Sequence, residues 1–380
     1  REGTMESIFW GALFLAFYSY LVYPTTLLVL RPFLRKSVVR SSDFCPPVTL
    51  IITVHNEQRR IREKLENTRQ LDYPQDLFQI LVASDGSSDD TNTIVEEYEK
   101  HGIQLLPLKN RAGKENAQRE AVKQSTGHII VFSDVATQLD RMAIRNIVAN
   151  FADQSIGCVS SVDKVMESNG TGGEGAYVRY EMWLRNLECS VYSVVGLSGS
   201  FFAARKQVCQ DFSTNMPSDF RTLLNSIKLG FRGISDPLTA GYYHSIKNES
   251  KEFDRKIRTV LRGITTFFNH TEFLNIFRFG LFTYQYVSHK LMRWFTPFFL
   301  ILSFGSHTVL AMHNSAYKAL FLLHVGAYFC ALLGFVFPSL SKQSIIRIPK
   351  YFVIVNGSIL VAWFKYFTGH RQVVWNPSVR

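Results

Sequence analysis

Cysteine is scarce in this 380-residue chain. The five present, Cys45, Cys158, Cys189, Cys209 and Cys330, are odd in number, widely spaced and never in a C-x-x-C pair. That pattern excludes a disulfide framework and a cysteine-built zinc site. It suits a reducing compartment for the middle of the chain. Long runs of Lys or Arg are missing too, so the net charge of +11 does not read as a nucleic-acid arm. The basic residues flank apolar stretches instead, which points to a membrane surface. One more absence matters. The strand-like run Ile129 to Phe132 leads into Asp134, but Ala136 stands where a two-carboxylate metal motif would place its second acid.

What is present divides the chain sharply. Residues 8–30 are apolar and long enough to cross a hydrocarbon core of about 30 Å at about 1.5 Å per residue. A secretory signal would need a basic region before that run, and none follows Met5. The basic residues Arg31, Arg35, Lys36 and Arg40 come after it, so that side is expected to be cytoplasmic. Arg1 to Thr4 precede Met5 and read as an appended segment outside the fold. The division expected is an anchor over 5–40, a cytoplasmic catalytic domain over 41–270, an amphipathic interface helix over 271–290 and a C-terminal transmembrane region over 291–380. Apolar segments lie near 295–312, 319–338 and 351–367. The last is short and holds Asn356-Gly-Ser358, so its crossing stays open. None of these segments carries the paired charges of a transport path.

The middle alternates strand and helix signals. Strands are expected at 48–54, 78–85, 105–108 and 128–134. Helices are expected from Ile61 to Leu71, near 90–100 and over 114–125. Such alternation predicts an α/β fold with a mostly parallel sheet and helices on both faces. Ligands of such sheets bind beyond the carboxyl ends of the strands. Val54-His55-Asn56-Glu57, Asp85-Gly-Ser-Ser-Asp-Asp-Thr91 and Asp134 all fall there. The second stretch also has the composition of a turn and helix cap. Lys114 opens a helix, where its charge opposes the macrodipole, so an acidic or phosphate partner would explain it. His244 is a lone histidine and is left out of the site.

The order of VTLIITVHNE, DGSSDDT, GKENAQREAV and HIIVFSD resembles the family-2 inverting glycosyltransferases of the GT-A fold. Further segments follow in matching order. Tyr177-Val-Arg-Tyr-Glu-Met-Trp183 and Gly196-Leu-Ser-Gly-Ser resemble the acceptor side. Pro217-Ser-Asp219-Phe resembles the segment of the catalytic base, and Arg255-Lys-Ile-Arg258-Thr resembles a Q/R-x-x-R-W motif. The likeness spans about residues 48–265, and the membrane layout resembles the cellulose and poly-N-acetylglucosamine synthase type.

The resemblance implies a Rossmann-like nucleotide-binding domain and assigns roles. His55, Glu57, Asp85, Lys114, Asp134, Arg255 and Arg258 would bind the nucleotide-sugar, uridine diphosphate-linked by expectation. Trp183, Ser198 and Gly199 would line the acceptor side, and Asp219 would be the general base. A Mg²⁺ or Mn²⁺ ion would sit at Asp134. The implied partners are a glycan or polyprenyl-linked acceptor, membrane lipids, and further copies or synthase subunits, with no nucleic acid. The implied place is the inner (plasma) membrane, multi-pass, with the catalytic domain cytoplasmic.

The residue types suit that chemistry. A carboxylate can take the acceptor hydroxyl's proton, although a free Asp titrates near ~3.9 and burial would have to raise it. Arginine meets a departing diphosphate with planar charge-assisted bonds. Two departures stand out. With Ala136 in place, a metal would need Asp134, Thr137, another residue or the diphosphate itself. Thr259 replaces the aromatic residue that stacks on an acceptor sugar in processive synthases. These departures leave a second reading open, a catalytically weak nucleotide-binding regulatory or assembly subunit.

Overall fold

In the computed structural model, residues 2–166, 172–210, 214, 216–243 and 249–370 are described. They form two compact units. One holds residues 34–166 and 188–243; the other holds 2–33, 172–187 and 249–370. Within the span 41–270 expected as the catalytic domain, residues 172–187 and 249–269 group with the apolar helices. His244 lies outside the described residues.

The first unit is built on an eight-stranded sheet. Its strands are β1 Val48–Val54, β2 Phe78–Asp85, β3 Ile103–Leu108, β4 Ile129–Asp134, β5 Gln138–Leu139, β6 Ile156–Val165, β7 Phe201–Arg205 and β8 Arg232–Tyr243. The order is β3-β2-β1-β4-β7-β6-β8-β5. Every residue of β1 is buried, as expected for a run that is β-branched except at Leu50, in a parallel sheet covered on both faces. Val48, Leu50, Ile52 and Val54 join Ile61, Leu65, Val95 and Ile144 in one core. The helix Lys114–Gln124 packs on β1 and β2 through Ala117, Ala121 and Val122.

The first four strands run parallel, as the alternation predicts. The rest of the sheet is mixed. Strand β7 is antiparallel to both β4 and β6, while β6 and β8 are parallel. The reason is local. The Asp134 amide donates to the Ser200 carbonyl at 2.9 Å, so the chain enters β7 beside the end of β4 and must run back along it. This reversal brings residues 198–200 to the edge where β4 finishes.

The second unit is helical. Among the described residues, four helices are long and apolar enough to cross a membrane: Glu2–Leu34, Leu281–His313, Ser315–Val336 and Ser344–Phe367. The region expected to be one interface helix is broken instead. Asn275 caps the short helix Ile276–Phe279 by accepting from the Phe277 and Arg278 amides. Gly280 then turns at φ +52°, a conformation open to glycine. From Leu281 the chain runs helically to His313. The Asn356-Gly-Ser358 stretch does not stop the last helix. Asn356 Nδ2 donates to the Phe352 carbonyl at 2.9 Å and Ser358 Oγ to the Val355 carbonyl at 2.7 Å. Polar side chains that bond back to their own helix are tolerated in such segments.

This unit also buries a charged pair just outside the apolar segments read from the sequence. Arg293 of the Leu281–His313 helix is buried. Its Nη1 donates to Glu181 Oε1 at 2.6 Å, and His289 Nε2 lies 3.5 Å from Glu181 Oε2. The Tyr20 ring faces the guanidinium at 5.0 Å. Burial works against the Glu181 charge, but Arg293 and His289 outweigh it and hold the carboxyl well below the usual range. The partner comes from the helix Gly172–Val191, outside the apolar segments, which is why no pair is visible within them.

Candidate active site

Strand register sets the site. Val54 pairs with Ser84 and Thr53 with Asp134, so β1, β2 and β4 finish at one level. The residues just past that level are His55, Asp85 and Asp134.

The loops after β1 and β2 are stitched together. Asn56 takes a left-handed turn at φ +51°, which its short polar side chain tolerates. Its Oδ1 accepts from the Ser88 amide at 2.8 Å, and Ser87 Oγ accepts from its own amide at 3.1 Å. Thr91 Oγ1 accepts from the Glu57 amide at 2.8 Å, while Asp89 accepts from the Gln58 amide at 3.2 Å. His55 Nδ1 bonds the Asp85 carbonyl at 2.7 Å. A carbonyl only accepts, so Nδ1 carries the hydrogen and Nε2 of the neutral ring is an acceptor. Glu57 is buried and takes Arg60 through both oxygens, at 2.8 and 2.6 Å.

Asp85 is fully buried. Its Oδ1 accepts from the Ala112 amide and its Oδ2 from the Gly113 amide, both at 2.8 Å. Its carboxylate thus builds the turn ahead of Lys114. Gly113, at φ +99°, is the cap residue of the Lys114–Gln124 helix. Lys114 leaves that turn and donates to Asp134 Oδ1 at 2.5 Å and to the Gly199 carbonyl at 3.0 Å. The acidic partner that a lysine at a helix start requires is therefore Asp134, within the same domain.

Gly199 ties these groups to Asp219. A β-carbon at position 199 would lie 3.4 Å from Asp219 Oδ2, so the carboxylate rests against the loop. Asp219 stands in the first turn of the helix Ser218–Lys228, whose cap residue is Pro217. It is therefore not the cap.

Two residues missed by sequence reading belong here. Asp163 Oδ1 accepts from Ser198 Oγ at 2.7 Å and from Ser200 Oγ at 2.8 Å, holding the hydroxyls on either side of Gly199. Lys64 is fully buried and bonds Ser133 Oγ at 2.8 Å, next to Asp134. Burial pulls the Lys64 ammonium down to about 7, against the field of Asp134. Neither has a motif signal. Asp163 reads as a polar strand position and Lys64 as an ordinary helix lysine.

Trp183, Arg255 and Arg258 belong to the other unit. Trp183 is largely exposed, with its ring 5.9 Å from that of Tyr180. Arg255 is engaged by both oxygens of Glu252, at 2.7 and 2.6 Å. Arg258 shares its helix, Glu249–Asn269.

The donor set for a metal is thin. Among the described residues no three His, Cys, Asp or Glu side chains gather as a metal site. Asp134 is 28% exposed, and Ala136 beside it adds no ligand. Mg²⁺ is commonly held by one or two carboxylates together with substrate phosphates. A single accessible carboxylate next to a phosphate-binding edge fits that mode.

A mixed α/β sheet with acids and a lysine at one strand edge, joined in sequence to four apolar helices, defines a glycosyltransferase-like class. The whole chain superposes on a solved structure, the mannosyltransferase PcManGT from Pyrobaculum calidifontis in complex with GDP-Man and Mn²⁺. The TM-score is 0.74 over 96% of this chain and 99% of that one, at 21% identity. This shows the GT-A fold. Residues 49–212 match the family model of glycosyl transferase family 2, and the protein carries a domain of that family.

Curated relatives point the same way. The poly-beta-1,6-N-acetyl-D-glucosamine synthase of Staphylococcus epidermidis is 25% identical over 188 residues, 48% of this chain and 45% of that protein. The probable glycosyltransferase YdaM of Bacillus subtilis is 32% identical over 132 residues, 33% of this chain and 31% of that one. The beta-monoglucosyldiacylglycerol synthase of Trichormus variabilis is 24% identical over 169 residues, 43% and 36% of the two. The matched region spans less than half of each of these relatives.

Proposed function

We propose that the protein is a membrane-bound inverting glycosyltransferase that moves a sugar from a nucleotide-sugar to a glycan or lipid-linked acceptor, with its catalytic unit on the cytoplasmic face. The observation that carries this reading is the chain of contacts from Lys114 through Asp134 and Gly199 to Asp219. It sets a cation, a donor-side carboxylate and a second carboxylate around one loop at the strand edge.

In this reading Asp219 accepts the proton of the acceptor hydroxyl. The hydroxyl oxygen then bonds to the anomeric carbon as the bond from that carbon to the diphosphate oxygen breaks, inverting the centre. The nucleoside diphosphate leaves with the electron pair. Charge growing on it is met by Lys114 through charge-assisted bonds. His55 and the loop 84–91 hold the nucleoside, and the hydroxyls of Ser198 and Ser200, fixed by Asp163, stand ready for sugar hydroxyls. A Mg²⁺ or Mn²⁺ ion would be held by Asp134 and would neutralise diphosphate charge. The relatives support polysaccharide or glycolipid synthesis as the setting, with uridine- or guanosine-linked sugars as the donors to try first.

The test is release of nucleoside diphosphate from UDP- and GDP-sugars by membranes containing the protein, with Mn²⁺ or with chelator, followed by sizing of the product. Donor-dependent release that falls on chelation is expected. Release from no donor would leave the non-catalytic reading.

A further inference from the structure

Lys64 lies on the helix Ile61–Arg69 between buried Ile61, Leu65 and Thr68, and none of it reaches solvent. Lysines on helices ordinarily keep the ammonium in water, and a buried ammonium is costly unless it is paired. An apolar residue of this length would fill the same space without that cost, so the ammonium's bonds need a reason.

They lead to one place. Nζ donates to Ser133 Oγ at 2.8 Å and to the Thr137 carbonyl. The two acceptors bracket Asp134 to Ala136. One turn on, Asn67 of the same helix exchanges two bonds with Leu139, Nδ2 donating to its carbonyl and Oδ1 accepting from its amide, both at 2.9 Å. Glu63 Oε1 accepts from Gln138 Nε2 at 3.0 Å. Three side chains of one helix thus grip the segment from Ser133 to Leu139 from below. Above it, Asp134 meets Lys114.

We propose that Lys64 is a positioning residue for Asp134. It clamps the segment that follows β4 so that the Asp134 carboxylate is presented to the donor's diphosphate, in a chain where Ala136 supplies no second acid to share a cation and fix the loop. This rests on the proposed nucleotide-sugar function. Lys64 touches no substrate; it acts through Ser133, Thr137 and the backbone between them.

The experiment uses the full chain purified in detergent, with UDP and GDP as probes and Mn²⁺ present, read by calorimetry beside donor kinetics. Lys64→Met keeps length and removes the bonds. Nucleotide binding should weaken about tenfold or more, as for other groups that support a metal-site ligand. Donor KM should rise by a similar factor, with kcat changed much less. A folded Lys64→Met protein with wild-type nucleotide affinity overturns the proposal, even if it melts at a lower temperature. Should that variant fail to fold, Ser133→Ala decides. It loses the bond from Lys64 and the 3.3 Å bond from Ser133 Oγ to the Asp134 carbonyl and should bind about threefold more weakly, whereas unchanged binding overturns the proposal. Absence of nucleotide binding in the wild-type protein would defeat the donor reading itself, and this is seen before any variant is made.

Discussion

Two buried cations, Lys64 in one unit and Arg293 in the other, are satisfied in opposite ways. Lys64, under the sheet edge, is held by neutral oxygens, a hydroxyl and a carbonyl. Arg293, among the apolar helices, is held by a full carboxylate, Glu181, with His289 beside it. Neutral acceptors leave the Lys64 charge uncancelled within its own contacts, so its field reaches Asp134. The Arg293 pair cancels locally, which a unit of helices long and apolar enough to cross a membrane would require, because an unpaired charge in a bilayer is expensive. One cation shapes a site, and the other holds helices together.

The largest expected effect tests the second half of that contrast. Glu181→Gln strands a buried guanidinium whose Nε and Nη2 already lack hydrogen-bond partners among the described residues. It should cost about 3–5 kcal/mol of stability, whereas Glu181→Met with Arg293→Met should be close to neutral. Denaturation in detergent of the single and double variants measures both. A double variant as damaged as the single one would mean that the pair does more than cancel charge.

The pH dependence should share one sign in the two units and differ in window, because both groups are depressed on folding and each makes stability rise with pH between its folded and unfolded values. Glu181 is depressed in the folded state. Its contribution is complete above the unfolded value of about 4.3 and falls away as pH drops below it. Acid should therefore loosen the helical unit, and Glu181→Gln should flatten that response. Lys64 is depressed to about 7, while the unfolded lysine titrates near ~10.4. Between those values the unfolded chain binds more protons, so stability should rise with pH, by at most about 1.4 kcal/mol per unit. Melting curves in EDTA, wild type against Lys64→Met, read this smaller effect. Parallel curves would remove Lys64 as a buried charge.

The sequence made the catalytic unit legible where local chemistry dominates. Val48 to Val54 can only be a covered strand, and polar clusters directly after three such strands must share an edge. His55, Lys114 and Asp134 followed from that. Asp85 was legible as a member of the edge but not as a fully buried carboxylate, because its partners, the Ala112 and Gly113 amides, are backbone groups far along the chain. Lys64 and Asp163 were hidden for the same reason. Each looks like a surface residue until the segment it grips arrives from elsewhere in the sequence. The reversal of β7 was also illegible, since strand direction depends on where the Ser198–Ser200 loop docks. In the other unit the apolar helices were plain, but Glu181 and Arg293 lie 112 residues apart, and no periodicity links them.

The central claim is that the carboxylate beside Gly199 takes the acceptor's proton. It is tested most directly by Asp219→Asn, with sugar transfer and nucleotide binding measured on the same preparation. Transfer should fall by about 10²-fold or more, the usual contribution of a positioned base, with nucleotide affinity unchanged. Transfer that survives the substitution would contradict the account.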